Sequence, residues 1–347
     1  MKAKALQFGK AMSAALFVLL LVVVGSKNAL AQTQVATLQH GDTISAYYGA
    51  NAFAEANAAA ADGDIITLSG GTFTSGTITK AITLRGAGCY RDSIVENFVT
   101  TIPGDVYITT SNVSVEGVYF SGNLYYYNNI VSNLNFIRCN INNFINGRWS
   151  GSDTYGIKNS QFVNCLFLRC SLDGYSNGGT TNNTFINCVI GNLTYAEGSQ
   201  VCYNSIIKLG TNAPDMSAYN CVVISNSNTY FLHNNSIAYN SIGIKTGSGS
   251  TPVFNTIPTF DCMAVTSYDA VFESFAGTFS FDELYLLKDE IATGFLGNDG
   301  TEIGIHGGFM PYSVRPIYMV PMRCNVANKS TIDGKLSVDI EVITVSE

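Results

Sequence analysis

The stretch NTFINCVIGN, residues 183–192, decides how this chain is read. One unit upstream stands SQFVNCLFLRC (160–170), and one before that LNFIRCNINN (134–143). With Asn187 as reference, the four-position frame Phe185, Asn187, Cys188, Ile190 recurs as Phe162, Asn164, Cys165, Phe167 and as Phe136, Arg138, Cys139, Ile141. Downstream it continues as Cys202, Asn204, Ser205, Ile207, then Ala218, Asn220, Cys221, Val223, then Ala238, Asn240, Ser241, Gly243. Two earlier copies carry glycine at the reference position: Val115, Gly117, Val118, Phe120 and Leu84, Gly86, Ala87, Cys89. The reference positions, 86, 117, 138, 164, 187, 204, 220 and 240, are unevenly spaced, so the insertions vary while the frame persists.

Asn and Gly share a tolerance of the left-handed backbone region with positive φ. The reference slot therefore predicts a tight bend between two short strands. Apolar or small residues at alternate positions around it are the pattern of strands with one face inward. DIITLSGGTF (64–73), AITLRG (81–86) and NVSVEGVYF (112–120) read as strands in the same manner. Units of about 20 residues built this way bury a continuous core by stacking on their neighbours. Arg138 departs from the rule, because arginine is poorly suited to positive φ. Either the bend changes shape there or the alignment slips by one.

The whole predicts an all-β chain: a single right-handed parallel β-helix of about eight to ten coils with an N-terminal helical cap and a small C-terminal β appendage. The chain resembles the pectate-lyase-like β-helix superfamily, and in particular the exported β-helix proteins of gut Bacteroidetes. Three stretches carry the resemblance. AFAEANAAAADGDIITLSGGTFTSGTITKAITLRGAG (52–88) is similar to the family's opening, the Asn-Cys coils follow, and GNDGTEIGIHGG (297–308) is similar to its final coil. The organisation expected is a signal peptide over 1–31, a cap with a short helix over 32–63, the β-helix over 64–310 and a hairpin over 311–347.

Side chains at equivalent positions of stacked coils lie about 4.8 Å apart and point the same way. Disulfides want Cβ atoms about 3.8 Å apart, so Cys139, Cys165 and Cys188 are read as small buried hydrophobes. Asn164, Asn187, Asn204, Asn220 and Asn240 are read as rungs of an amide ladder between coils. Neither a Cys-x-x-Cys pair nor zinc spacing occurs, with His40, His233 and His306 far apart, so no metal site is expected.

Charged residues make up 12% of the chain. That is roughly half their share in ordinary domains. The net charge of −7 gives no basic footprint for nucleic acid. Uncharged polar groups must cover the surface, and 24 asparagines between residues 121 and 250 supply them. Lys2, Lys4 and Lys10 precede an apolar run from Ala11 to Val24, and Ala29 and Ala31 precede Gln32. That pattern predicts a secretory signal cleaved near Ala31 and a secreted, periplasmic or cell-surface location, with no membrane span left afterwards.

Chemistry is harder to find. A lyase of this fold needs a base and acidic residues that hold calcium against a uronate, and a hydrolase needs close carboxylates. The acidic residues between 94 and 260 are scattered. The candidates are Asp153 and Asp173, brought together from neighbouring coils, with the basic Arg148 and Arg169. Tyr125, Tyr126, Tyr127 and Trp149 are candidates for a sugar surface, because aromatic rings suit the apolar faces of sugars. No catalytic motif transfers from the resemblance. The leading expectation is a glycan-associated binding protein that presents a long Asn- and Tyr-rich face, its partner a polysaccharide. The alternatives are a polysaccharide lyase or glycoside hydrolase, with calcium only in the lyase case, and a structural or adhesive spacer. The tail strands in 311–326 and 334–345 are expected to pair as a hairpin that packs on the coil or mediates association.

Overall fold

The computed structural model describes residues 34–90, 99–126, 130–146, 155–172, 180–194, 198–212, 215–232, 235–247, 252–255 and 257–312, with the backbone of two later strands, 320–326 and 338–343. The expected signal segment, Arg148, Trp149, Asp153, Asp173 and Tyr127 lie outside the described residues.

The chain is a parallel β-helix. Two 12-stranded sheets carry almost all of its strands among the described residues. Strands such as Asn135–Ile137, Gln161–Val163 and Asn183–Ile186 stack in the first sheet. Each crosses at the reference bend into the second sheet, as Asn140–Asn146, Leu166–Ser171 and Val189–Thr194. Register agrees with the sequence frame, with Phe136 against Phe162, Phe162 against Phe185 and Phe185 against Cys202. A row of rings stacks inside the coil: Phe136 on Phe162 at 5.5 Å and Phe162 on Phe185 at 4.8 Å. From Cys202 the same row narrows to Ala218 and Ala238.

The bends are left-handed at Gly117, Asn164, Asn187, Asn204, Asn220 and Asn240. Arg138 adopts φ 50°, so the bend keeps its shape there and the alignment does not slip. Its guanidinium comes within 3.9 Å of the Glu116 carboxylate. Gly86 differs from expectation: it does not take positive φ, and its glycine is needed because a Cβ there would collide with the Gly117 carbonyl oxygen. The frame also runs one coil further than the sequence suggested, to Asp261 at φ 49°. Aspartate shares asparagine's tolerance of this region.

The N-terminal cap is larger than a short helix. The strands Val35–His40 and Thr43–Tyr48 form an antiparallel hairpin that extends the first sheet through Ile65–Leu68. The helix Ala52–Ala59 buries Ala52, Phe53 and Ala56 in the core cluster of the coils. Asp64 ties the cap to the first coil, accepting from the Ala61 amide at 2.8 Å and meeting His40 Nδ1 at 2.7 Å. Those contacts, the Ala61 bond foremost, hold its carboxyl below the usual range.

The stack ends at the strands Thr259–Phe260 and Met263–Val265, before the expected limit at 310. Residues 297–308 are not a final coil. They belong to a strap that returns along the outside, and the sequence pattern explains why. Second-sheet strands such as Ile206–Leu209 and Val222–Ser225 are apolar at consecutive positions, so both faces need cover. Leu166, Val189, Ile206, Val222 and Ile242 point outward and are packed under Val271, Phe272, Phe275, Tyr285, Ile303 and Ile305. The later strands Val320–Val326 and Val338–Ile343 pair antiparallel.

Candidate functional site

Seven of the described cysteines are sealed inside the coil. Cys89, Cys139, Cys165, Cys170, Cys188, Cys202 and Cys221 are free and buried. Several point their thiols at carbonyls, as Cys188 does to Phe162 and Ile186, both at 3.3 Å. Burial pushes the Cys139, Cys165 and Cys202 thiols well up, and Cys221 up to about 12. Where serine replaces cysteine, the hydroxyl knits coils instead: Ser205 accepts from the Cys188 amide at 3.1 Å, and Ser241 from the Cys221 amide at 3.0 Å.

The reference asparagines also behave differently from the expected rungs. Their backbone amides climb from coil to coil, Asn164 to Ile186 at 2.9 Å and Asn187 to Tyr203 at 3.0 Å. Three side chains reach out to the strap. Asn220 exchanges bonds with Asn298 at 3.0 Å, Asn204 donates to Glu302 at 3.4 Å, and Asn187 donates to Ile305 at 2.8 Å and Gly307 at 2.7 Å. Amide ladders do occur, at other positions. Asn133 donates to Asn112 at 2.9 Å and Asn182 to Asn159 at 2.6 Å, all four residues at positive φ five places before the reference bend. A third ladder links Asn143 to Asn123 at 3.0 Å and Asn123 to Asp105 at 2.8 Å.

Arg169 is exposed and sits one strand beyond Asn143 in that third ladder. Its proposed partners are outside the described residues. Among the described residues no three His, Cys, Asp or Glu side chains converge as a metal site would require. Tyr126 is buried and donates to the Ser171 carbonyl at 3.0 Å, so it offers no face to a ligand. It alternates with Tyr125, which points outward and stacks on Tyr107 at 4.9 Å.

Among the described residues a longer outward-facing aromatic row lies on the other sheet. The residue before each reference bend faces outward, because the residue two before it faces the core. Read along the stack, that row is Ile137, Val163, Ile186, Tyr203, Tyr219, Tyr239 and Phe260, each in register with the next. Its last four members form one continuous stack. Centroids are 5.0, 5.1 and 4.6 Å apart, and successive planes lie within 17° of parallel. Tyr203 is 39% exposed and Phe260 48%. Burial pushes the Tyr219 phenol up, and the phenols of Tyr203 and Tyr239 add to the effect. Tyr203, Tyr219 and Tyr239 each end the ring in a hydroxyl, and Phe260 ends the row without one.

One flank of this row carries Val201, Ser217 and Ile237, and beyond them Asn235 bonded to Asp215 at 2.8 Å. The other flank is the bend to which the strap is tied through Asn204 and Asn220. Neither Lys nor Arg occurs in the four strands that carry the rings. The sequence held the signal as Tyr-Asn at 203–204, 219–220 and 239–240 and Phe-Asp at 260–261. A frame built on inward positions passes over it. No protein-family model matches the chain, and neither a curated protein nor a solved structure matches it.

Proposed function

We propose that this chain is an exported, glycan-associated binding protein whose contact surface is the outer face of the first sheet. The observation that carries the reading is the outward-facing stack Tyr203–Tyr219–Tyr239–Phe260, exposed at its two ends and half-buried between them. Export rests on the basic, apolar and Ala-x-Ala pattern that ends at Ala31, which is the pattern of a secretory signal. Aromatic residues with polar tips make large contacts at low conformational cost, and sugars offer CH groups to ring carbon and hydroxyls to phenols. The neighbouring Ser217 and the Asp215–Asn235 pair add polar groups at the border. A rigid stack holds these groups in place before a ligand arrives, which lowers the ordering cost of binding.

Incubation of the full chain with neutral and acidic polysaccharides, following both its retention and any release of shorter sugars, tests the reading. Retention without release is the expected result. Release of products moves the protein to the lyase or hydrolase class. Neither retention nor release leaves the rigid spacer as the better account.

A further inference from the structure

We infer that the aromatic stack binds a neutral, extended, equatorially linked polysaccharide lying along the axis of the coil, with one sugar residue per coil. This inference rests on the glycan-binding reading above and names its ligand class.

Three observations fix the class. The first is repeat length. Ring spacings of 5.0, 5.1 and 4.6 Å follow the rise from one coil to the next. A sugar residue in an extended, equatorially linked chain advances by nearly the same distance. Each residue of such a chain lies beside one ring, successive residues presenting opposite edges, whereas a helically coiled, axially linked chain leaves the row after one or two.

The second is presentation. The rings face one another along the axis, so their planes are largely occupied by their neighbours. They show solvent their edges and the hydroxyls of Tyr203, Tyr219 and Tyr239. A line of three hydroxyls, each able to donate and accept, suits a line of sugar hydroxyls better than one isolated ring.

The third is charge. The four strands carry Asp215 and no Lys or Arg, and Asp261 follows the last ring. An acidic polymer would meet like charge without a cation to pair it. A neutral chain meets no such penalty.

Calorimetric titration of the full chain with β-1,4-linked gluco-, manno- and xylo-oligosaccharides of two to six residues tests this, with α-1,4-linked gluco-oligosaccharides and oligogalacturonates as comparisons. In at least one β-1,4 series, affinity should rise with length up to four residues and then level. The α-linked and acidic series should bind at least tenfold more weakly at equal length. Equal binding of α- and β-linked series, a preference for the acidic series, or no dependence on length overturns the inference. If polysaccharide retention is seen alongside such a result, the binding reading survives without it. If neither polymers nor oligomers bind, both fail.

Discussion

The side-chain amide of Asn187 donates to the carbonyl of Gly307 at 2.7 Å, joining residues 120 positions apart. One residue thereby performs two tasks. Its backbone takes the left-handed bend that turns the coil, and its side chain fastens the strap that covers the second sheet.

The two tasks separate by substitution. Asn187→Gly keeps the bend and removes the strap bonds, so it should cost roughly 1–2 kcal/mol. Asn187→Ala also keeps a Cβ at positive φ without the polar side chain that lets asparagine tolerate that region, for a total of about 2–4 kcal/mol. Asn164 has the same bend and, like Asn187, a buried Oδ1 with no partner among the described residues, but its side chain makes no bond to the described strap. Asn164→Gly should therefore change stability by less than about 1 kcal/mol. Denaturant unfolding of the three variants gives the comparison, and equal losses for the two glycine variants would contradict it.

The strap is itself tightly closed. A Cβ at Gly307 would collide with the Glu302 carbonyl oxygen. Gly307→Ala should loosen the strap while leaving the coils stacked. Hydrogen exchange should quicken at Gly304 and Tyr312, whose amides bond to Asn220 and Ile305, and stay slow at Ile206 and Val222. Uniform acceleration over the coils would show that the strap is part of the same cooperative unit.

Buried thiols make the fold sensitive to alkali. Burial raises the folded-state pKa of Cys89, Cys139, Cys165, Cys170, Cys202 and Cys221. The unfolded chain loses these protons from about pH 8.5 upward while the folded chain keeps them. Their stabilising effect is complete below that value and is lost as pH rises toward the folded values. Each thiol lowers stability by about 1.4 kcal/mol per pH unit in that window. Urea midpoints in reducing buffer should hold steady below about pH 8 and fall steeply above about pH 9.

Among the cysteines whose side chains are described, Cys262 alone is not buried. In a Cys324→Ala background, a thiol reagent should label the native protein at Cys262 and spare the seven buried cysteines until unfolding. Mass mapping of the labelled peptides reads this directly. Rapid native labelling at Cys165 or Cys188 would mean that the coil opens far more readily than its packing implies.

The coil was legible in the sequence because its bends need residues that tolerate positive φ and its interior needs alternate apolar positions. Asn187, Cys188 and Phe185 announce both requirements. The strap was less legible, since an apolar outer row such as Leu166, Val189 and Ile206 states that cover is needed without saying which segment provides it. Gly304 and Gly308, at positive φ, resemble coil bends locally, although they turn the strap. The side-chain partners of the asparagines were hidden for the same reason. A bend dictates backbone geometry, while the direction of its amide depends on what lies beside it. The tyrosine row was visible as a repeated Tyr-Asn pair, but its meaning required knowing that those rings share one face.

The most direct test of the binding surface compares Tyr219→Ala with Tyr107→Ala. Each removes one ring of an aromatic stack, Tyr219 on the first sheet and Tyr107 on the second. Both variants are first checked for native unfolding behaviour and then titrated with the polysaccharide that retains the wild-type chain. The account predicts at least a tenfold loss of affinity for Tyr219→Ala, about 1.4 kcal/mol, and wild-type binding for Tyr107→Ala. Wild-type affinity in Tyr219→Ala, or an equal loss in Tyr107→Ala, would contradict it.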